Sequence, residues 1–172
     1  MKLETRAFNL KKPKNRQHIP SIIELSHEED MIPITEETIA RHHLARVMVD
    51  RDGDIEKFAG YAAITHIYSK DVVELGALVT SENYRGLGVA STLVKEVKAA
   101  AHETWESAQI LAFTNNASKT VFAKLGGLVV ENPDIVLPAQ VWKECVACTS
   151  YQRCVIELGQ QCCGRVLDIT EV

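Results

Sequence analysis

Apolar residues in this chain recur at two periods, and the changes of period mark out its elements. Residues 45–50 (ARVMVD) and 56–68 (EKFAGYAAITHIY) are apolar-rich runs flanking Asp50-Arg51-Asp52-Gly53-Asp54. The Asp-Gly pair supplies the positive-φ turn of a hairpin, which the two runs are expected to form. VVELGALVT (72–80), rich in β-branched residues, is a third expected strand. From about Gly88 to Glu103 the spacing lengthens. Val89, Leu93, Val97 and Ala101 stand four apart, as on a helix packed along one side against a sheet. AQILAFT (108–114) returns to a compact apolar strand. Asn115-Asn116 offers an N-cap for a helix that buries Val121, Phe122 and Leu125 and stops at Gly126-Gly127. LVVE predicts one more strand. Upstream, ETRAFN reads as extended, Pro20 and Ser21 open a helix through Ile22, Ile23 and Leu25, and a short helix over about 35–43 starts at Thr35 beyond Pro33. Antiparallel strands followed by strand–helix–strand–helix–strand predict an α/β or α+β fold with one mixed sheet.

The length of 172 residues suits one domain, since most domains hold roughly 100–200 residues. A chain of this size buries about 70% of the surface its unfolded form exposes and folds without a staple. The balance of 19 Lys+Arg against 23 Asp+Glu, net −4, argues against a general affinity for nucleic acid. No apolar run approaches the roughly 18 residues of a membrane span. MKLETRAFNLKKPK lacks the apolar middle of a signal peptide, so the expected location is cytoplasmic, away from membranes. Charge is nevertheless uneven. Residues 1–19 carry Lys2, Arg6, Lys11, Lys12, Lys14 and Arg16 against Glu4, whereas residues 24–37 hold Glu24, Glu28, Glu29, Asp30, Glu36 and Glu37 with no Lys or Arg. Such runs are usually solvated faces, but the acidic one could also select a charged substrate.

All five cysteines fall late, as Cys145-x2-Cys148-x5-Cys154-x7-Cys162-Cys163. Close thiols in a reducing compartment more often serve metals or redox chemistry than disulfides. Cys145, Cys148, Cys154 and Cys162 (or Cys163) could supply four thiolates to a tetrahedral Zn²⁺; an iron–sulfur cluster would use the same set, and a stretch of plain reduced cysteines is the alternative. The expected organisation is a domain over 1–135 and a Cys-rich C-terminal extension over 136–172, packed on or beside it. That extension could bind metal, cover an acceptor cleft or mediate contacts in a homodimer. His18, His27, His42, His43, His66 and His102 show no paired metal spacing and read as surface or core histidines.

The richest segment chemically is Thr80-Ser-Glu-Asn-Tyr-Arg-Gly-Leu-Gly-Val-Ala-Ser91, between a strong strand and an amphipathic helix. Gly86 and Gly88 allow the backbone to turn its N–H groups toward one point, where the positive end of the helix adds to them and makes a site for phosphate oxygens. Arg85 adds a fixed cation. The spacing is neither that of a Walker loop nor that of the dinucleotide fingerprint.

These residues resemble the GNAT superfamily of acyl-CoA-dependent N-acetyltransferases. Its Arg/Gln-x-x-Gly-x-Gly/Ala signature stands here as Arg85-Gly86-Leu87-Gly88-Val89-Ala90, and its Asn-to-Tyr-x-Lys-x-Gly segment is matched over Asn115–Gly126. The resemblance covers about residues 3–131 and implies a mixed, mostly antiparallel sheet of about six or seven strands flanked by about four helices. It implies that acetyl-CoA (CoA) is bound through its pyrophosphate at Gly86, Leu87, Gly88, Val89, Ala90 and Ser91. It also implies that the pantetheine arm lies along Leu78, Val79 and Thr80 and meets Asn115, Ser118 and the position of Phe122. Between 85 and 124, Arg85, Lys95, Lys98, Lys119 and Lys124 outnumber Glu96, Glu103 and Glu106, which suits a polyanion.

Acetyl transfer to an amine needs a proton acceptor and an oxyanion donor. Glu74 is the candidate base, where many relatives carry a glutamate; by strand alternation it is expected on one face with Leu78 and Thr80. A backbone N–H near Val79 or Thr80 is the candidate oxyanion donor. Phe122 occupies the place of a Tyr that protonates the leaving thiolate in many relatives, and phenylalanine cannot do so. Tyr84, Tyr61 and Tyr151 are possible substitutes, each otherwise an ordinary packing or surface tyrosine. The acidic run lies in the stretch that walls the acceptor site in this family, so a cationic amine is expected: a small molecule, an amino acid or a protein lysine. The alternative from another class is a catalytically weak acyl-CoA-binding regulatory module with a metal-bearing Cys extension.

Overall fold

Pro13 starts a helix at the position where its fixed φ and missing N–H cost nothing, giving α1 (Pro13–Arg16) directly after β1 (Leu3–Ala7). The computed structural model describes residues 1–28, 32–130 and 165–171. α2 (Ile19–Glu28) begins slightly ahead of the predicted Pro20-Ser21. α3 (Glu36–Arg41) is shorter than predicted. Thr35 caps it in a reciprocal box with Thr38, and the backbone is already extended at His42. Gly53 turns β2 (Leu44–Asp52) into β3 (Ile55–Ser69) with Asp52 opposite Ile55, as the Asp-Gly pair predicts. β4 (Val72–Thr80) follows, and a short 3-10 turn (Glu82–Tyr84) leads into α4 (Val89–Thr104). β5 (Gln109–Thr114), α5 (Asn116–Lys124), β6 (Leu128–Val129) and β7 (Arg165–Asp168) complete the described elements.

The seven strands form one sheet in the order β1-β2-β3-β4-β5-β7-β6, antiparallel throughout except between β4 and β5. α4 and α5 pack on one face: Val89, Leu93, Val97 and Ala101, four apart as predicted, meet Met48, Ala62, Ile64, Val73 and Leu75 together with Phe122. α2 and α3 cover the other face, where Ile19, Ile22 and Ile39 meet Val47, Val49, Tyr61, Ala63 and Val79. Each fully buried aliphatic side chain of these two cores contributes about 1.5–3 kcal/mol.

β7 is a strand the sequence pattern missed. It lies between β5 and β6, with Val166 opposite Phe113 and Leu167 opposite both Ala112 and Val129. The last stretch of the expected extension over 136–172 is therefore part of the sheet, and the boundary at 135 and all five cysteines lie outside the described residues. Among the described residues no helix is long and apolar enough to cross a membrane, and no group of His, Cys, Asp and Glu could hold a metal.

Candidate active site

β4 and β5 share only three rungs: Val72 with Gln109, Val73 with Ile110 and Glu74 with Leu111. Beyond Glu74, β4 continues to Thr80 paired with β3 alone, and β5 continues to Thr114 paired with β7 alone. The two parallel strands thus part into a wedge with Glu74 at its apex. Because they are parallel, their C-terminal ends lie at its wide side, where the chain enters α4 and α5 respectively.

At that side Gly86 and Gly88 take φ values of 77° and 79°. This left-handed region strains any residue with a Cβ by about 1–2 kcal/mol. Gly88 is the N-cap of α4 and no side chain caps the helix; Gly88 O already receives the N–H of Thr92. The first-turn N–H groups of Val89, Ala90 and Ser91, predicted as pyrophosphate donors, therefore meet at a helix end with no acidic residue in its first turn. Leu87 is exposed, and Arg85 sends Nε toward Thr80 O at 3.5 Å.

The loop is anchored from behind. Tyr84 is buried and its hydroxyl donates to Asp50 Oδ2 at 3.2 Å. Burial and that carboxylate both push its phenol pKa upward. Tyr84 thus pins the loop to β2. α4 itself lies close on β3. A Cβ on Gly60 would stand 2.8 Å from Val89 Cγ1, 2.9 Å from Val79 O and 3.0 Å from Leu93 Cδ1. In the sequence Gly60 carries only the faint mark of a lone glycine inside an expected strand.

Asn115 caps α5 in a box with Ser118: Ser118 N donates to Asn115 Oδ1 at 2.8 Å and Asn115 N donates to Ser118 Oγ at 3.1 Å. This places α5's first turn at the wedge. Phe122 is 2% exposed within the core under α4. Lys98, counted above with the basic residues, is instead buried; desolvation lowers its pKa, with Glu171 and Asp168 acting against that. It faces the β7 end of the sheet, so it adds little to the field around the loop.

The faces of β4 depart from the plain alternation expected for Glu74, Leu78 and Thr80. Leu78 packs in the α4-side core with Val73 and Leu75, while Ala77 and Val79 pack on the opposite side. Glu74, opposite His66, lies on that opposite side too, so it shares a face with Ala77 and Val79 and not with Leu78. The cause is a bulge. Gly76 opposes Ala63 and Val79 opposes Tyr61, so β4 holds one extra residue there, and Ala77 takes φ 51°. One inserted residue reverses the alternation for everything beyond it. The bulge also aims the backbone. Ser81 N donates to Ala59 O at 3.0 Å, so Thr80, one residue earlier, turns its N–H to the wedge edge.

Around Glu74 stand residues whose types carried no pattern in the sequence. His66 Nδ1 lies 3.1 Å from Glu74 Oε2, and the Tyr68 hydroxyl donates to the same oxygen. On the same face, His42 Nδ1 is 2.7 Å from the Tyr61 hydroxyl and the rings stack at 5.9 Å. Burial, then the neighbouring His66 and His43, lowers the His42 pKa to about 4. His42 is therefore neutral near pH 7. Burial raises the Tyr61 phenol, which keeps its proton. Glu36 and Glu37 of the acidic run are exposed and pair with Arg16 (3.2 Å) and Arg41.

Comparison with curated proteins finds no match to the sequence. Among solved structures, N-acetylglutamate synthase of Neisseria gonorrhoeae complexed with coenzyme A and L-arginine superposes with TM-score 0.63 at 17% identity, over 96% of this chain and 32% of that one. This chain thus spans about a third of that enzyme's length. Rv2747 of Mycobacterium tuberculosis, in complex with CoA and NLQ, gives 0.60 at 16% identity over 95% and 96% of the two chains. The ribosomal-protein-S18-alanine N-acetyltransferase of Escherichia coli gives 0.55 at 15% identity over 76% and 80%. At such identities these likenesses establish the fold. The sequence itself carries the assignment further, since residues 10–126 match the family of GNAT acetyltransferases, more than half of the chain. With its splayed parallel strands, glycine-turned helix N-terminus and bulged β4, the chain belongs to the GNAT acetyltransferase family.

Proposed function

We propose that the protein binds acetyl-CoA in the β4–β5 wedge and transfers the acetyl group to a primary amine by direct attack in a ternary complex. The observation that carries this reading is the wedge itself, with Glu74 at the apex and the N-termini of α4 and α5 at the wide side. Acetyl-CoA supplies a thioester carbonyl and a thiolate that can leave. The N–H groups of Gly86 to Ser91 and the Arg85 guanidinium suit a pyrophosphate, and the edge of Leu78, Val79 and Thr80 suits an extended amide-bearing arm. Asn115 and Ser118 at the start of α5 would border the other wall, with Phe122 behind them in the core. Thr80 N–H is the better placed of the two oxyanion candidates, because it points into the wedge. Glu74 accepts the amine proton.

The acceptor is a cationic small molecule or a protein lysine. Glu24, Glu36 and Glu37 of the helices over Glu74's face support this. The pairs of Glu36 with Arg16 and Glu37 with Arg41 are exposed and worth at most about 1 kcal/mol each, so a substrate ammonium can displace them. One observation favours the second reading, an acyl-CoA-binding regulatory module: Phe122 is buried and brings no hydroxyl to the place where many relatives keep their acid.

Thiol release from acetyl-CoA separates the two. The panel is spermidine, a lysine-containing peptide, L-lysine, L-glutamate and β-alanine, each with the native chain and Glu74→Gln. Turnover with the cationic amines, reduced about 10²- to 10⁴-fold by the substitution, is expected. Preference for L-glutamate or the zwitterionic β-alanine over the cationic amines would sink the acceptor class. Tight CoA binding without turnover on any amine would establish the module.

A further inference from the structure

We propose that His66, together with Tyr68, is a positioning residue that grips one oxygen of Glu74 so that the other is presented to the amine. The inference rests on the reading of Glu74 as base. Glu74's side chain is 13% exposed, so water does little to orient it. Both His66 Nδ1 and the Tyr68 hydroxyl converge on Oε2. The base role requires a carboxylate that only accepts, and in that role the partner on this side is a proton carried by His66 Nδ1. The His66 and Tyr68 rings are parallel within 7° at 5.8 Å, which locks each against rotation.

Irregular pairing of β3 assembles this bracket. His66 stands directly opposite Glu74, but one extra β3 residue lies on each side of the short paired stretch: Thr65 between the Ile64 and His66 rungs, and Tyr68 between the Ile67 and Ser69 rungs. Two sequence neighbours, Thr65 and His66, thereby reach the surroundings of one carboxylate, which a regular strand forbids. The second oxygen, Oε1, lies on the Gly76 side: a Cβ built on Gly76 would be 3.2 Å from it and 2.9 Å from Thr65 Oγ1. Gly76 is past the last β4–β5 rung, so Oε1 is directed along β4 toward the opening of the wedge. Thr65 Oγ1 beside it is buried with no hydrogen-bond partner among the described residues. Such a buried oxygen costs about 1–3 kcal/mol, a cost that a donor arriving beside Oε1 would relieve. A donor-rich ammonium or the water it displaces meets that requirement.

The test uses His66→Leu, His66→Asn, Tyr68→Phe and Glu74→Gln, assayed with acetyl-CoA and the fastest amine of the panel above. Leucine removes the donor, whereas the asparagine amide restores one near the place of Nδ1 without a titrating ring. The expected result for His66→Leu is a kcat about tenfold lower with KM for acetyl-CoA within twofold. His66→Asn should recover most of that loss, and Tyr68→Phe should lose a few-fold. Equal losses in the leucine and asparagine variants, or a rise in KM at unchanged kcat, would show a merely structural role and overturn the proposal. If His66→Leu does not fold, as judged by circular dichroism, Tyr68→Phe decides: native kcat in that variant refutes the bracket. Full turnover by Glu74→Gln, or none by the native chain on any amine, would remove the base itself. A slow Glu74→Gln beside a fully active His66→Leu would remove only the positioning role.

Discussion

Gly60 on β3 and Val89 at the start of α4 are in contact so close that no side chain fits between them: the missing Cβ would stand 2.8 Å from Val89 Cγ1, with Val79 O at 2.9 Å on its other side. Backbone on one side and a buried methyl on the other leave little room to yield. Gly60→Ala is expected to destabilise the fold by about 1–3 kcal/mol, which lowers Tm by roughly 2–4 °C per kcal/mol in a domain of this size. It should also weaken CoA binding, because it moves the helix end that offers the N–H groups. Thermal melts and calorimetric CoA titration check this; unchanged values in both would contradict the contact.

Gly88 faces open space, so what limits substitution there is φ and charge. Gly88→Ala should lose about 1–2 kcal/mol of stability and keep measurable CoA binding. Gly88→Glu adds a carboxylate at the proposed pyrophosphate position and should abolish binding at concentrations where the alanine variant still binds. Equal CoA affinity in the two variants would dissociate the loop from the cofactor.

Tyr84 carries its hydroxyl to Asp50, which also accepts the Lys2 N–H at 2.8 Å. Tyr84→Phe should cost about 1 kcal/mol of stability and raise KM for acetyl-CoA a few-fold, with kcat within twofold of the native value. A large fall in kcat at constant KM would make Tyr84 the missing acid.

His42 sets a pH window. Its folded pKa of about 4 lies below its ordinary 6.5, so the unfolded chain binds a proton more readily. The stability that His42 contributes is fully present above pH 6.5 and is lost as pH drops from there toward 4, by at most about 3 kcal/mol. His18, buried and beside Arg6, is also lowered and acts in the same direction. Glu56, held at about 2 by hydrogen bonds from Arg6 and Arg51, loses its contribution only below its ordinary 4.5. Urea titrations between pH 7.5 and 5 should therefore show a loss that His42→Phe reduces. A native slope in that variant would rule out His42 as its source.

Long elements with one buried face were readable in the chain. α4 shows its four-residue repeat because every repeat packs on one sheet, and the Asp-Gly turn of β2–β3 is a local necessity. Gly86 and Gly88 were legible for the same reason, since positive φ is a property of the single residue. By contrast, α1 is only one turn, and β7 has four residues whose partners Leu111–Thr114 and Leu128–Val129 are remote in sequence, so neither leaves a periodic signal. His66 and Tyr68 looked like ordinary strand residues until register set them against Glu74.

The sequence by itself determined the fold class, the order of most elements and the position of the anion-binding turn, because burial of one face and local backbone preference act over a few residues. Only the tertiary structure decided which face Glu74 shares, which oxygen of it His66 and Tyr68 hold, and that Arg165–Asp168 enter the sheet between β5 and β6. Those depend on bulges and strand register, which arise from pairing between distant segments, and a one-residue shift there reverses the side on which every following group lies.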